Sequence, residues 1–406
     1  MKTIVFLGTN KSGSSREAIR AAERMGYYTV LLTNRHAMLN QPEQFPEVHR
    51  MILDNLRDLP RLRQKLRRLQ NEQGLRISAI YSCLDSHVHT AALLSQEFCG
   101  TPVSVEAIQR MEDKILTRQS LQGTPYSPYY AVHQPDDSLD DMSCVQADTL
   151  PLVVKSPSSA GSKDVLLAQT DEQLRTHTRK LLDKYPEQPV LFEEFLKGPQ
   201  FLVEVLVEDG NVHLVAVILQ EITDTSPYLV MGYAVLPTIG RQFLAKLSQA
   251  VEDIIEALGM WRGACHLELR LVRGAWKLIE INPRISGGAM NQMIKAAYGI
   301  DLTEQTLRLW LGESVSMSRL HSNDVFTRFL TVEKSGVLKK VTGRNKAWRM
   351  PGVVDVFIKP IKGQYVTTPS SMGHRYAYVM ATGRSVEEAR SQATAAAAEI
   401  QFHLRM

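Results

Sequence analysis

Along the first hundred residues, short apolar runs alternate with segments whose apolar positions recur at helical spacing. The run TIVFLGT (3–9) is followed by SSREAIRAAERMG (14–26), with Ile19, Ala22 and Met25 on one helical face, and then by YTVLLTN (28–34). Strand, amphipathic helix and strand in that order make a βαβ unit, and hence a parallel sheet. A helix over 59–71, the strand ISAIYS (77–82) and a helix from Val88 to Phe98 continue the alternation, so residues 1–104 read as one α/β domain. Asp85 and His87 fall just past the carboxyl end of a strand, where open α/β sheets take their ligands. Both are candidate substrate residues.

From about 105 the texture changes to α+β. SVEAIQRMEDKILTRQSLQ (104–122) reads as one helix, followed by a turn over 123–128 and the strands YYAVH (129–133) and PLVVKSP (151–157). Next come a helix over 171–184, the strand VLFEEFL (190–196) and a long hairpin, FLVEVLVEDGNVHLVAVILQEI (201–222). Its Asp209-Gly210 pair suits a two-residue turn with both central residues at positive φ. A helix over 241–258 precedes HLELRLVRGAWKLIEINPRISGG (266–288), a helix begins near Gly288, and residues 322–406 form a last α+β segment.

The 266–288 stretch carries the most unusual chemistry. His266, Glu268 and Arg270 alternate with Cys265, Leu267, Leu269 and Leu271, so one strand face is polar and the other apolar. On the next strand Trp276, Leu278, Glu280 and Asn282 are expected to share a face. A three-residue loop, Arg273-Gly274-Ala275, then sets Glu268 directly opposite Glu280, whereas a two-residue loop puts them on opposite faces. Two adjacent carboxylates repel, so they require either basic partners, such as Arg270, Arg284 or a lysine, or a cation. Mg²⁺ prefers hard oxygen ligands and commonly joins one or two carboxylates to nucleotide phosphates. Glu268, Glu280 and the Asn282 amide oxygen supply such ligands.

Bulk properties narrow the field. The 406 residues are 44% hydrophobic and 22% charged, an ordinary globular composition spread over more than one core. Net charge is +4, and the basic run RLRQKLRRLQ (61–70) carries leucines at helical spacing, which describes a solvated helix face rather than a nucleic-acid site. Cys83, Cys99, Cys144 and Cys265 form no CxxC pair, which argues against a disulfide framework or a zinc site and for a reducing cytoplasm. No stretch approaches the roughly 18 apolar residues of a membrane span, so neither secretion nor membrane insertion is expected.

Lys114 in EDKILTRQSLQ, Lys155 before the small-residue loop SPSSAGS (156–162), the pair Glu193-Glu194 before Gly198-Pro199, and the Glu268, Glu280, Asn282 set occur in an order that resembles the ATP-grasp ligases. The resemblance is strongest over 105–290. It implies ATP held between two α+β subdomains, with Lys114 and Lys155 on the phosphates and the loop containing Ser162 closing over them. Backbone groups of Glu194 and Leu196 would meet the adenine beside Glu193, Gln200 would take the ribose position, and Mg²⁺, with Mn²⁺ as an alternative, would sit on Glu268, Glu280 and Asn282. Two departures stand out: relatives commonly carry Glu at the position of Gln200, and Gly161 is the only glycine of the phosphate loop.

LQEITDTSPYLVMGYAVLP (219–237) resembles the substrate-side loop of the L-amino-acid ligase and biotin-carboxylase-like branch, which implies that Glu221 approaches the metal–phosphate site. GVLKKVTG (336–343), MPGVVDVFI (350–358) and ATGRSVEEA (381–389) resemble the C-terminal domain of L-amino-acid ligases. The expected architecture is therefore an ATP-grasp fold of mixed α/β and α+β class. It comprises an N-terminal parallel α/β domain (1–104), a small subdomain (105–190), a large subdomain with the metal site (191–321) and a C-terminal segment (322–406). The implied activity is phosphorylation of an amino acid's carboxylate, followed by attack of an amine on the acyl phosphate. Lys155, Glu221 and Arg284 would be catalytic, and Arg284 would hold substrate with Asp85 and His87. A carrier-protein thiol as acceptor and a nucleotide-binding regulator without turnover stand as alternatives, and assembly as a homodimer is open.

Overall fold

A computed structural model describes residues 1–139, 142–146, 149–157, 164–223 and 229–405. The chain begins with β1 (Lys2–Leu7), α1 (Ser14–Arg24), β2 (Tyr28–Thr33), the short α2 (His36–Leu39), β3 (Arg50–Leu53), α3 (Leu59–Asn71), β4 (Arg76–Tyr81) and α4 (Val88–Cys99). These strands form a parallel sheet in the order β3-β2-β1-β4. Ile4 to Leu7 and Val30 to Leu32 are all buried, the continuous apolar run that a sheet covered on both faces requires. α3 buries Leu62, Leu66 and Leu69 and turns its basic residues outward, in keeping with a solvated face.

The segment expected as one helix is two, α5 (Val105–Glu112) and α6 (Lys114–Ser120). Asp113 makes the break, its Oδ1 accepting from the backbone N–H of Ile115 at 2.7 Å and of Leu116 at 3.0 Å. An aspartate that satisfies two orphan donors starts a new helix as effectively as a glycine ends an old one. Lys114 and Arg118 thereby lie in the opening turns of a redirected helix.

The small sheet comprises β5 (Tyr130–His133), β6 (Leu152–Lys155), β7 (Val165–Ala168) and, after α7 (Asp171–Lys184), β8 (Val190–Glu194), in the antiparallel order β5-β8-β6-β7. Leu174 and Leu181 of α7 close its core over Val154 and Phe192. Then follow β9 (Gln200–Glu208), β10 (Asn211–Ile222), β11 (Val230–Val235), α8 (Arg241–Leu258), β12 (Gly263–Val272), β13 (Ala275–Asn282), α9 (Met290–Tyr298), α10 (Leu302–Trp310) and β14 (Asp324–Leu330). The last elements are β15 (Gly336–Thr342), α11 (Arg344–Trp348), β16 (Val353–Ile358), β17 (Tyr365–Val366), β18 (Ala377–Gly383), α12 (Val386–Ala398) and β19 (Gln401–Arg405). An eight-stranded antiparallel sheet, β13-β12-β9-β10-β11-β14-β18-β16, runs through them, with a separate sheet β17-β15-β19.

The β9–β10 and β12–β13 hairpins of the large sheet each turn on two residues. Asp209 and Gly210 have φ of 49° and 81°, and Arg273 and Gly274 have 49° and 83°, the paired left-handed values of a tight hairpin turn. The second turn corrects the expectation of a three-residue loop, because Val272 pairs with Ala275. A two-residue turn alone would separate Glu268 and Glu280 onto opposite faces. Instead the register shifts between Glu268 and Leu269, Ile279 is an extra residue in β13, and Glu268 pairs with Glu280. The bulge also divides the strand differently from the simple alternation. Trp276 and Leu278 pack in the core with Leu267 and Leu269, whereas Glu280 and Asn282 are only half-buried on the other side.

Candidate active site

The bulged hairpin supplies the floor of the site. Lys114 Nζ lies 3.5 Å from Glu280 Oε1 and 3.4 Å from the Pro157 carbonyl, where the small-residue loop begins. Gln200 Nε2 donates to Glu268 Oε2 at 3.0 Å and to Gln220 Oε1 at 2.7 Å, while Gln200 Oε1 accepts from Arg270 Nε at 3.0 Å. Both ends of the Gln200 amide are thus engaged inside the network, and Arg270 also donates to the Leu196 carbonyl. Burial, then the facing Glu280, push Glu268 up to about 7 against the pull of Arg270 and Lys114.

Asn282 is oriented by a histidine. His266 Nδ1 lies 2.9 Å from the Arg284 carbonyl oxygen, and its Nε2 lies 3.2 Å from Asn282 Nδ2. Burial and the nearby Arg284 guanidinium hold His266 down to about 3, so the ring is neutral. A carbonyl can only accept, so Nδ1 carries the proton and Nε2 accepts from the amide. Asn282 therefore turns its NH₂ toward the histidine and keeps Oδ1 for another partner. Among the described residues no three His, Cys, Asp or Glu side chains gather as a metal cage. Two facing carboxylates with one amide oxygen fit a Mg²⁺ that completes its shell with phosphate and water.

Arg118 ties this floor to β8. It is 1% exposed, and its Nε lies 2.8 Å from Glu193 Oε1 while its Nη2 donates at 2.7 Å to the carbonyl of the bulge residue Ile279. Lys155 Nζ takes the other Glu193 oxygen at 2.7 Å. Burial drives Glu193 upward, but Arg118 and Lys155 outweigh it and hold the carboxyl below its ordinary range. Burial lowers Lys155. Glu194 caps the neighbouring strand end, its N–H donating to the Tyr129 carbonyl at 2.9 Å. Ser162 lies outside the described residues.

Two adjoining cavities open above these groups. One, of about 320 Å³, is lined by Glu112, Lys114, Arg118, Glu280 and Asn282. The other, of about 330 Å³, is lined by Asn10, Ser14, Arg35, Cys83 and Arg284, and both share Asp85 and Ser86. Arg284, just after β13, is ion-paired to Asp85 of the β4–α4 loop, rather than to Glu268 or Glu280. The β1–α1 loop closes against the strand that follows β13: Ser14 Oγ donates to the Ser286 carbonyl at 2.6 Å. A Cβ at Gly13 would stand 3.1 Å from Gly288 N, and Gly13 has φ 81°, so glycine is required there.

Not every expected residue reaches these cavities: Lys155, Glu193, Glu194, Leu196, Gln200 and Glu268 line neither. His87 is buried at the start of α4 and lines neither. Glu221 also lines neither; its carboxylate lies 2.6 Å from Arg390 Nε and 3.7 Å from Arg328 Nη1. Conversely, Arg118 and Glu112 belong to the site without having been singled out in the sequence, while Arg270, one of the expected basic partners, donates to Gln200 and the Leu196 carbonyl. The available signal was weak: Arg118 stands four residues after Lys114 on a helix, a spacing that surface residues share.

Residues 149–292 match the family model of the ATP-grasp domain, and residues 328–405 match that of the L-amino acid ligase C-terminal domain 2. The chain belongs to the ATP-grasp ligases. This ligase is 25% identical over 398 residues to the uncharacterized protein y4rH of Sinorhizobium fredii, covering 95% of the chain and 80% of that protein. It is 28% identical over 263 residues to carnosine synthase 1 of Homo sapiens, covering 58% of the chain but 31% of that protein. The ligase shares its fold with the L-amino acid ligase from Bacillus licheniformis, at a TM-score of 0.83 and 20% identity over 100% of this chain and 99% of that one. No helix among the described residues is long and apolar enough to cross a membrane.

Proposed function

We propose that the ligase joins the carboxylate of an amino acid to an amine, a second amino acid included, through an acyl phosphate, with ADP and phosphate released. The observation that carries this reading is the adjacency of the two cavities. A wall of Lys114, Glu280 and Asn282 suits polyphosphate and a divalent ion, and Arg284 stands at the shared Asp85 boundary beside it. The match at the C-terminal segment and the likeness to carnosine synthase support an amino-acid substrate.

In this reading Glu268, Glu280 and Asn282 would hold Mg²⁺, or Mn²⁺, which would supply positive charge to the phosphates. Lys155 turns from Glu193 to the phosphates, and Arg118 keeps Glu193 paired when it does. Arg284 exchanges the Asp85 carboxylate for that of the substrate, holding it through two N–H bonds. Little covalent work falls to the protein, since phosphoryl transfer depends mainly on position and charge.

ADP release should depend on a particular amino acid across a panel of amino acids and amines. Hydroxylamine should trap the acyl phosphate as a hydroxamate, and oxygen-18 from the acid's carboxylate should appear in phosphate. Label in AMP, with pyrophosphate released, would overturn the reading.

A further inference from the structure

Resting on the carboxylate–amine reading above, we propose that Glu112 is the general base for the incoming amine, which enters the cavity that Glu112 lines with Lys114, Glu280 and Asp85. An amine meets the enzyme mainly as its ammonium ion, which has no lone pair to attack with. A group must take its proton inside the cavity.

The cavity offers few candidates. Glu280 belongs to the cation set, and Asp85, which gives up Arg284 to the substrate carboxylate, has a side chain 44% exposed to solvent. Glu112, the last residue of α5, forms no ion pair among the described residues, and its Oε1 accepts the His89 backbone N–H at 3.1 Å. That single bond fixes the carboxylate at the start of α4 and leaves its second oxygen for a ligand.

The charged groups around it come from every neighbouring element. Asp85 and His89 stand on the α4 side, Lys114 and Arg118 on α6 and Glu280 on β13, while no residue of α8, which packs behind α5, lines the cavity. Burial, opposed by the His89 N–H and reinforced by Asp85, pushes Glu112 up to about 7. A base matched to neutral pH is the one that moves a proton most effectively there.

The step balances as follows. The Glu112 carboxylate takes one proton from the ammonium, and the freed nitrogen pair forms the C–N bond to the acyl carbon. The C–O bond to phosphate breaks with its electron pair, and the second nitrogen proton leaves with phosphate. Glu112 then returns its proton to solvent.

Hydroxylamine provides the test, because it is largely neutral at neutral pH and needs no base. The full-length ligase is assayed with ATP, Mg²⁺ and the amino-acid pair that gives the fastest ADP release among the twenty, and separately with hydroxylamine replacing the acceptor. Glu112→Gln should lower amide formation about 100-fold and abolish its rise with pH near 7, while hydroxamate formation stays within about threefold of wild type. Glu112→Asp should recover part of the amide rate, and added formate should restore Glu112→Ala. Equal loss of amide and hydroxamate, unchanged amide formation in Glu112→Gln, or no rescue by either aspartate or formate would overturn the assignment. Absence of hydroxamate from the wild-type enzyme would instead remove the acyl-phosphate reading on which the assignment rests.

Discussion

Glu268 and Glu280 face each other across the β12–β13 ladder because Ile279 adds a residue to one strand after a two-residue turn. The bulge places two like charges side by side and gives its own carbonyl to the buried Arg118. Like charges directly opposite each other destabilise a sheet, so without a cation this part of the fold is under electrostatic tension.

Replacing one of the pair should therefore separate stability from activity. Glu280→Gln should raise the thermal midpoint of the metal-free protein by roughly 1–3 °C and lower substrate-dependent ATP turnover at least about 100-fold. The lost Lys114 contact is partly exposed and counts for less than about 1 kcal/mol. Calorimetric scans with and without Mg²⁺ check this, and full turnover in the variant would sink the cation assignment.

Lys155 and Arg118 share Glu193 but should fail differently. Lys155→Ala should weaken ATP and ADP binding about tenfold or more by isothermal titration, with the fold intact because Arg118 still neutralises Glu193. Arg118→Met should cost more, about 3 kcal/mol of stability, since it leaves one buried Glu193 oxygen and the Ile279 carbonyl without their donor, with Lys155 alone on the carboxylate. Equal stability of the two variants in a denaturant titration would contradict the shared-ion arrangement.

Asp85 occupies the guanidinium that the substrate carboxylate is expected to need. Asp85→Asn should lower KM for the acid several-fold, whereas Arg284→Lys should reduce kcat/KM about 100-fold through loss of the two-pronged geometry. Steady-state kinetics with the acid varied decide between this and a purely structural latch, for which Asp85→Asn would raise KM.

Glu204 makes stability depend on pH. It is buried opposite His266, and burial pushes it from 4.5 up to about 7 against hydrogen bonds from Ser286. The folded chain therefore holds a proton that the unfolded chain has released between those values. The contribution is full below about pH 4.5 and is lost as pH rises through about 7, by on the order of 3 kcal/mol. Glu204→Gln should flatten that part of a melting-temperature profile between pH 5 and 8; an unchanged slope would place the titration elsewhere.

The sequence exposed the motif order, the parallel opening sheet and the confrontation of Glu268 with Glu280. It did not expose why they meet. Spacing counts the residues between two strands without saying whether the odd one sits in the turn or in the ladder, and either placement restores the same pairing. Arg118 was hidden for a related reason. Its partners, Glu193 and Ile279, lie 75 and 161 residues away, so helical periodicity presents it as a surface cation. The resemblance to the ATP-grasp ligases gives Gln200 the ribose position without saying what else its amide meets. Only the fold reveals Gln220, Arg270 and Glu268 around its amide.

The continuous eight-stranded sheet sets limits on modular exchange. β14 pairs directly with β11, Ala389 and Ala393 of α12 pack over Ala234, Phe326 and Ala381, and Arg328 and Arg390 neutralise Glu221. A chimera cut before β14 would expose an unpaired strand edge and leave Glu221 without its cations. Any donor segment would have to bring a matching strand, a small-residue helix and two well-placed arginines together. The loops around the second cavity, which meet through Ser14 and Ser286, carry fewer such dependencies. They are the economical place for a new substrate preference to arise, in nature or by design.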